Sequence, residues 1–559
     1  MPLPTQIVSI DCGFDCRSIR TTQNEKNAMN AQNLRLALAT VLISYAFATT
    51  SLASLELPWL FADHMVIQRN VPVPVWGTGT PGSTITVTFG GQDHLTAVDA
   101  AGEWMVTLKA MAANAQGRAL RVASSSENAS RTIQDILVGE VWLCAGQSNM
   151  WYPLKSCTGG KDAATAAGNS AIRLLNRRGN AYPAGGTWKP ATLEKCTAGK
   201  YYSGTWAIDA PESAAQFSGV AYWFGKKLHA ELNVPIGLIN VAVGGTTTEA
   251  YTSREGLLSH PRLRPIVESD GYWFDNETVS AWPRKRAKEN LSGWLKHKTE
   301  PMPRHPFEPT FLFECGIAPL VPMAFRGVIW YQGESNATDA DNKIPIPKAL
   351  VRAGIETMIS DWRAQWKRDF PFLYVQLPGM GRPWELFREV QLECLDIANT
   401  GMAISIDVGD PNDVHPKNKQ PVGERLARWA LGTTYGKELV YSGPLYQVSR
   451  DRGQESGGRL RLTFEHTGTG LSTSDGKAVR GLEVAGTNGV YHPAEATIDG
   501  HAVLVRSTKV AKPVAARYAW APFPDGNLVN SANLPASPFR TATSSHTQGQ
   551  TLSTRHQSD

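Results

Sequence analysis

Ser148 has the residue type and the setting of a nucleophile. The apolar run VWLCAG precedes the pair Gln147-Ser148, a pattern that predicts a strand, a small-residue turn and a helix start. At a helix N-terminus a serine hydroxyl is exposed, and developing negative charge is favoured there. A serine that only caps a helix has the same surroundings, and they do not form the G-x-S-x-G elbow of many hydrolases. The role of Ser148 therefore depends on what the rest of the chain brings to it.

A candidate base, His415, lies far along the chain among acidic residues. An imidazole can accept a serine proton, and a carboxylate such as Asp413 can fix the ring tautomer and stabilise the imidazolium that forms. The same two residues, with Asp407 and Asp410, are an alternative metal site. The spacing lacks the D-x-[DN]-x-[DN]-G pattern of a calcium loop, and the sequence contains no HExxH pair. A histidine before a proline is also common in surface loops.

Acyl transfer further needs hydrogen-bond donors that stabilise an oxyanion. Three are available: the backbone N–H of Ser148, an N–H of the Gly244-Gly245 turn, and the side-chain amide of Asn336. Taken singly, a glycine pair is an ordinary turn and an asparagine an ordinary helix cap. Together with His415, these residues follow four separate predicted strands. That coincidence favours a catalytic interpretation.

Five apolar runs without polar alternation predict the strands that position these residues: ILVGEVWLCA, PIGLINVAV, FRGVIWYQ, FPFLYVQL and MAISIDVG. Such runs are typical of parallel strands buried on both faces. Between them, apolar stripes with helical spacing begin at Phe217 and at Ile355. We predict an α/β fold, with a three-layer α/β/α domain over residues 136–434 and an insertion at about 251–309. Ligands bind beyond the carboxyl ends of such strands, which is where the candidate residues lie.

Segments rich in β-strands flank this domain. Short alternating runs broken by Gly and Pro predict a β-sandwich over residues 54–135, and the same pattern returns over residues 435–540. The polar segment 541–559 is predicted to be disordered. Several domains agree with the length of 559 residues, at ~150 residues for each domain.

The first 53 residues predict export. Arg35, an apolar run over residues 36–48 and a small-residue site ending at Ala53 are typical of a secretory signal peptide. A transmembrane anchor is the alternative, but the run is shorter than the ~20 residues that cross a bilayer. We predict an upstream extension before Met29, cleavage after Ala53, a periplasmic or extracellular protein, and no stable membrane insertion after cleavage.

Cysteine usage does not indicate a disulfide framework. Cys12 and Cys16 precede the predicted cleavage site, and an odd number of cysteines remains after it. An oxidising compartment allows one disulfide, for which Cys157 and Cys196 are the candidates.

Composition limits the partners. The net charge is only +5 and the Lys and Arg residues are scattered, which argues against a nucleic-acid partner. Hydrophobic residues make up 42% and charged residues 19%, as in globular proteins. The 17 tryptophans are a high content that accompanies sugar-facing surfaces as well as large cores.

Four segments together resemble the sialate O-acetylesterase family of the SGNH-hydrolase superfamily. They are GQSNM, GGTTTEA, GVIWYQGESN and DVHPKNKQPVGERLA, and LPASPFRT near the end extends the resemblance into the flanking regions. The resemblance implies a flavodoxin-like hydrolase domain and a serine esterase that acts on an O-acetylated carbohydrate without a cofactor. It assigns the four letters S, G, N and H to Ser148, the Gly244-Gly245 pair, Asn336 and His415.

The sequence departs from the family pattern at two places. SGNH enzymes commonly carry Asp three residues before the His, where this chain has Asn412. We predict Asp413 as the partner of His415, with Asp410 as second choice and a Ser-His dyad with a backbone carbonyl as a further alternative. The asparagine-glycine segment usual before the third strand is FLFECGIAPL here, with Glu314 and Cys315 at the changed positions.

The resemblance implies a carbohydrate ester as the substrate, and the residues leave two kinds of sugar as alternatives. Candidate substrate contacts near the motifs are Gln147, Gln332, Glu334 and Arg388. The carboxylate of a sialic acid would favour an arginine, for which Arg254, Arg382 and Arg388 are candidates. Acetylated xylan or another polysaccharide would instead favour aromatic platforms, for which the candidates are Trp151, Trp273 and Trp384. The competing classes are a non-catalytic carbohydrate-binding protein on a hydrolase scaffold and a metal-dependent phosphatase or nuclease.

Overall fold

A computed structural model describes residues 55–126, 129–298, 301–339, 341, 343–447, 454–455 and 458–541. The predicted upstream extension and signal peptide, with Cys12 and Cys16, lie outside the described residues, as does all of the predicted tail beyond residue 541. Within the described ranges, no helix has both the length and the apolar character needed to span a membrane.

The N-terminal part is built from short strands whose side chains alternate between buried and exposed positions. These strands are β1 (Val66–Gln68), β2 (Val73–Thr78), β3 (Thr84–Phe89), β4 (Gln92–Ala97), β5 (Glu103–Leu108) and β6 (Asn114–Ser124). Strand β2 pairs with β5, and β3 pairs with β4 and β6. The following strand β7 (Ser130–Gly146) is 17 residues long and pairs first with β6 and β1.

The carboxyl half of β7 is a strand of the central sheet. The other strands of that sheet are β8 (Ile172–Asn176), β11 (Trp206–Ile208), β12 (Ile236–Asn240), β13 (Gly327–Tyr331), β14 (Phe372–Val375) and β15 (Thr400–Ala403). Between β8 and β11, the short strands β9 (Arg178–Gly179) and β10 (Tyr202–Ser203) form a separate two-stranded sheet. The order in the central sheet is β11-β8-β12-β7-β13-β14-β15, and all neighbours are parallel except β11 with β8. Every residue of β12 and β13 is buried, as a sheet covered on both faces requires.

Helices cover both faces of this sheet, and further helices form an insertion. They are α1 (Ser148–Trp151), α2 (Gly160–Thr165), α3 (Pro190–Leu193), α4 (Pro211–Gln216), α5 (Gly219–Leu232), α6 (Arg254–Ser259), α7 (Pro265–Glu268), α8 (Ala281–Asn290), α9 (Ser292–Leu295), α10 (Glu334–Ala337), α11 (Lys348–Trp366), α12 (Glu385–Glu393) and α13 (Gln420–Trp429). Trp142 contacts Phe224 of α5, whereas Trp330 contacts Trp362 of α11. Because Trp330 is in register with Ala145, it lies on the face opposite to Trp142. The predicted α/β/α architecture is confirmed, with the two apolar stripes in α5 and α11.

Shorter helical turns complete this part of the chain. They are the 3-10 turns Leu154–Ser156, Thr248–Tyr251, Trp273–Asp275, Ala318–Leu320, Cys394–Asp396 and Ile406–Val408 and the π turns Phe313–Ile317 and Ala430–Thr434. Helices α6 to α9 form the insertion, which has its own apolar cluster around Ile266 and Phe274.

The C-terminal part is a set of small antiparallel sheets with a separate core. Its strands are β16 (Leu445–Tyr446), β17 (Gln454–Glu455), β18 (Arg459–Glu465), β19 (Leu471–Thr473), β20 (Leu482–Ala485), β21 (Tyr491–Pro493), β22 (Glu495–Asp499), β23 (Ala502–Arg506), β24 (Ala515–Tyr518), β25 (Leu528–Asn530) and β26 (Phe539–Arg540). It docks on the central part through α12, where both carboxylate oxygens of Glu389 accept from Arg540 at 2.6 and 2.9 Å.

The suggested disulfide is wrong. Cys157 and Cys196 are free, buried thiols, as are the three other cysteines in the described part of the chain. Each donates to a carbonyl one helical turn back, Cys157 to Pro153 at 3.5 Å and Cys196 to Thr192 at 3.7 Å. The local helical turns, rather than a cross-link, determine where these two sulfurs lie.

Candidate active site

Strand β7 ends in a turn that requires glycine. Gly146 has φ +132°, and a Cβ at this position would lie 2.2 Å from the carbonyl oxygen of Tyr331 on the neighbouring strand β13. The next residue, Gln147, donates its backbone N–H to that same carbonyl at 2.9 Å. Helix α1 then begins at Ser148, which is partly exposed. The turn therefore places the serine hydroxyl at a helix N-terminus beyond the carboxyl edge of the sheet.

The loop after β12 lies directly against this serine. A Cβ on Gly244 would be 3.4 Å from the Cβ of Ser148. The loop is held there because Val243 donates to the Gly146 carbonyl at 3.1 Å and the Tyr251 hydroxyl donates to the same oxygen at 2.9 Å. Among the described residues, the backbone N–H groups of Ser148 and Gly244 have no protein acceptor. Both are therefore free to donate to an oxyanion.

The two other predicted oxyanion donors, Gly245 and Asn336, have close protein neighbours. A Cβ on Gly245 would face the Phe307 ring at 2.7 Å, on the side of the insertion. The Asn336 amide nitrogen donates to both carboxylate oxygens of Glu249 at 3.1 Å, and its oxygen accepts from Gln332 at 2.6 Å. Both Glu249 oxygens lie on one side of the amide nitrogen, which carries two hydrogens, so Asn336 as an oxyanion donor stays a prediction.

Neither ring nitrogen of His415 forms a hydrogen bond with a described residue. Its Nε2 is buried and has no hydrogen-bond partner among the described residues. Its Nδ1 lies 3.8 Å from Asp413 Oδ1, which is too long for a hydrogen bond, and that oxygen accepts the backbone N–H of His415 at 2.9 Å. Asp410 Oδ1 instead accepts two backbone N–H groups, from Asn412 and Asp413. Asp413 is therefore the carboxylate beside the ring, acting through charge.

The His415 imidazole is biased toward its neutral form. Burial lowers its pKa, the cations Lys419 and Arg382 lower it further, and Asp413 opposes them. The Tyr152 ring stacks on it with centroids 5.7 Å apart. A neutral imidazole is the form that can accept a proton from Ser148.

The acidic residues upstream do not form one cluster. Both carboxylate oxygens of Asp407 accept from Arg425 at 2.6 Å. In the described part of the chain, no group of three or more His, Cys, Asp or Glu side chains has the arrangement of a metal site.

Three of the predicted substrate contacts are engaged by protein groups near the serine. Gln147 Oε1 accepts from the backbone of Ser335 at 3.2 Å. Gln332 Nε2 donates to the Thr246 carbonyl at 3.2 Å, and the buried Glu334 accepts from the Asn149 amide. These side chains connect the ends of β7, β12 and β13 to one another.

Arg388 is not a substrate contact. It is completely buried, and its guanidinium donates to the carbonyl oxygens of Pro378, Ala521 and Pro522. These bonds join α12 to the C-terminal part. Of the other arginines, Arg254 is exposed at the start of α6 and Arg382 is half-buried near His415.

One aromatic surface borders the serine. Trp151 stacks on Tyr182 with centroids 5.9 Å apart, and Tyr182 is 58% exposed. A Cβ on Gly244 would be 3.6 Å from the Tyr182 ring, which places this tyrosine at the site. Trp273 and Trp384 are buried and offer no such platform. Sequence reasoning missed Tyr182, because an isolated tyrosine in the segment NAYPAGG carries no motif.

Comparisons with known proteins agree with this geometry. A family described as "Carbohydrate esterase, sialic acid-specific acetylesterase" matches residues 317–432. Curated relatives include the sialate O-acetylesterase of Mus musculus, 27% identical over 85% of this chain and 92% of that protein. That of Homo sapiens is 28% identical over 75% of this chain and 78% of its own length.

A solved structure extends the likeness to the whole fold. It is a carbohydrate acetylesterase from Xanthomonas citri, 37% identical, with a TM-score of 0.71 over 88% of this chain and 100% of that one. Identity at this level and coverage, with the serine, glycine and histidine placed as described, confirms the resemblance seen in the sequence. The chain belongs to the sialate O-acetylesterase family of SGNH hydrolases and is a carbohydrate esterase.

Proposed function

We propose that this chain removes acetyl groups from O-acetylated sialic acids through an acyl-enzyme on Ser148. The serine oxygen attacks the acetyl carbonyl carbon while His415 Nε2 takes its proton. Collapse of the tetrahedral intermediate breaks the ester C–O bond, and His415 returns the proton to the sugar oxygen. A water that His415 deprotonates then attacks the acetyl-serine and releases acetate. None of these steps uses a metal or an organic cofactor.

One observation carries the mechanism. Ser148 begins α1 beside the Gly244 backbone, and the buried His415 Nε2 has no other partner among the described residues. Nucleophile, oxyanion donors and base are thus supplied by the ends of different strands at one edge of the sheet.

Arg382 supports an anionic sugar as the substrate. Gly381 donates to the Pro411 carbonyl at 3.1 Å, which fixes the Arg382 turn against the loop that carries His415. The Arg382 guanidinium forms no ion pair with any described residue, and burial lowers its pKa. Glu334 influences this guanidinium through charge but forms no ion pair with it, so the partly desolvated group can pair with the carboxylate of a sialic acid.

An acetylated polysaccharide such as xylan is the alternative substrate. The Trp151-Tyr182 pair beside the serine is a surface on which a neutral sugar ring can stack. This surface does not require a charge on the sugar. A role of Arg382 in substrate binding would therefore favour the sialic acid over the polysaccharide.

Acetate release distinguishes these proposals. Purified protein is assayed with O-acetylated sialic acid and with acetylated xylan, alongside Ser148→Ala, Arg382→Gln and the exposed-arginine control Arg254→Gln. We expect release from the sialate that Ser148→Ala abolishes, and a KM that Arg382→Gln raises about tenfold or more while Arg254→Gln leaves it unchanged. Release from xylan alone would move the substrate to the polysaccharide. Release that survives Ser148→Ala would contradict the serine mechanism.

We also propose that the chain is exported and cleaved after Ala53. The apolar run over residues 36–48 and the small residues before Ser54 support this. N-terminal sequencing of protein recovered outside the cytoplasm should begin at Ser54. Full-length protein retained in the cytoplasm would contradict export.

A further inference from the structure

A buried lysine lies beside the site and has no role in the mechanism above. Lys419 is four residues after His415, directly before α13, and is only 1% exposed. Lysines are almost never buried to this extent without partners, because desolvating the ammonium is costly. The partners of Lys419 therefore indicate what it does.

Asn149, the residue after the nucleophile, links Lys419 to Glu334. The ammonium donates to Asn149 Oδ1, and Asn149 Nδ2 donates to Glu334 Oε1. The orientation of the amide follows from chemistry, since an ammonium only donates and a carboxylate only accepts. We call these three residues the Lys-Asn-Glu bridge.

The bridge also binds the loop that carries His415. Asn149 Nδ2 donates to the carbonyl oxygen of Val414 at 2.9 Å. Asn149 adjoins Ser148 and Val414 adjoins His415, so one amide fixes the nucleophile and the base relative to each other. Glu334, at the start of α10, anchors the bridge to the end of β13.

Four elements present charged or titratable groups to His415. They are Tyr152 at the end of α1, Asp413 in the loop of His415 itself, Arg382 after β14 and Lys419 before α13. Of the two cations, Lys419 has the larger effect in lowering the pKa of His415. Burial lowers the pKa of Lys419 to about 8, although the charge of Glu334 acts in the opposite direction, so the ammonium form predominates at neutral pH. Burial raises the pKa of Glu334, and the Asn149 hydrogen bond and the Lys419 charge oppose this.

We propose that the Lys-Asn-Glu bridge is a positioning element that holds Ser148 and His415 in register and fixes the Lys419 ammonium beside the loop of the base. This inference rests on the proposed serine mechanism. Lys419 does not touch the reacting atoms, and it acts through Asn149 and through its charge.

The test uses a readout that does not depend on the sugar. The rate of inactivation by phenylmethanesulfonyl fluoride, which modifies an activated serine, is measured as a function of pH together with kcat/KM for p-nitrophenyl acetate. In Lys419→Met the acid limb of both profiles should move to higher pH by about half a unit or more. The plateau should fall about tenfold or more, because the serine and the base are less well aligned.

Two lysine variants provide controls. Lys419→Arg keeps the cation, and its acid limb should return toward the wild-type pH. Lys417 is exposed on the same loop, so Lys417→Met should leave both profiles unchanged. An unshifted limb in Lys419→Met, or an equal shift in Lys417→Met, would overturn the proposal.

A double variant distinguishes loss of the bridge from loss of the fold. Removing Lys419 alone leaves Glu334 buried without its cation, which destabilises the protein. Lys419→Met with Glu334→Gln removes both charges, and thermal melting verifies that this protein folds. A folded double variant with a raised acid limb supports the proposal, and one with the wild-type limb overturns it. Wild-type protein that the reagent does not modify at Ser148 would instead contradict the serine mechanism itself.

Discussion

Asp413 contributes to the site through its charge. Its Oδ1 lies 3.8 Å from the His415 ring nitrogen, and its carboxylate raises the pKa of His415 against the effect of burial. Asp413→Asn should therefore lower that pKa and move the acid limb of the kcat/KM profile to lower pH, opposite in sign to Lys419→Met. We expect kcat to fall by about tenfold, well short of the ~10⁴-fold loss caused by removing a hydrogen-bonded triad Asp.

Asp410→Asn is the matched control for this pH profile. An asparagine retains the Oδ1 that accepts the backbone N–H groups of Asn412 and Asp413, so activity should change little. A larger loss in Asp410→Asn than in Asp413→Asn would identify Asp410 as the partner of His415.

Motif and spacing pointed to Ser148, Gly244 and His415, because each follows a strand whose apolar run is unmistakable. Motif and spacing cannot show which groups a side-chain amide binds. Asn336 lies in a segment with several polar side chains, and only the structure reveals that its amide nitrogen donates to Glu249. The contact between Asn149 and Lys419 spans 270 residues and leaves no local signal.

At the scale of the element, the turn after β7 determines where the nucleophile lies. Gly146→Ala would place a Cβ about 2 Å from the Tyr331 carbonyl oxygen, so either the turn or β13 must shift. We expect a loss of about 2–4 kcal/mol in the free energy of unfolding and a matching loss of activity in the folded fraction. Urea unfolding and acetate release measure the two effects.

Gly159 provides the control for this substitution. It also has a positive φ, +66°, but a Cβ there meets nothing within 4 Å. Gly159→Ala should therefore cost only about 1 kcal/mol of backbone strain and leave activity unchanged. Equal losses in the two variants would mean that strain, rather than contact with β13, limits the turn.

The apolar runs predicted five of the six parallel strands, and the helical stripes predicted α5 and α11. Strand β8, with the sequence IRLLN, was missed because five residues with an arginine among them do not form a continuous apolar run. Pairing with β12 stabilises this strand, since Ile172 to Asn176 pair in register with Ile236 to Asn240. Such support from a neighbouring strand cannot be inferred from a local window.

At the scale of the whole molecule, the parts of the chain share elements that composition does not reveal. Strand β7 belongs both to the N-terminal sheet and to the central sheet, and one apolar core runs through both. The C-terminal part has its own core but is fixed to α12 by polar contacts. Because the C-terminal part lies against α12, Arg388 binds carbonyl oxygens of that part rather than a substrate.

Arg388 should therefore determine stability, whereas Arg382 should determine substrate affinity. Arg388→Met removes the donor to the carbonyl oxygens of Pro378 and Ala521, whereas that of Pro522 keeps the Met380 N–H, and it should lower the free energy of unfolding by about 3 kcal/mol. Its KM for O-acetylated sialic acid should be unchanged below the melting transition. Arg382→Met should show the reverse pattern, a raised KM with near wild-type stability, because its half-exposed guanidinium forms no ion pair with any described residue. A raised KM with unaltered unfolding in Arg388→Met would instead identify Arg388 as a substrate contact. It would also mean that the contacts of Arg388 with the C-terminal part do not stabilise the protein.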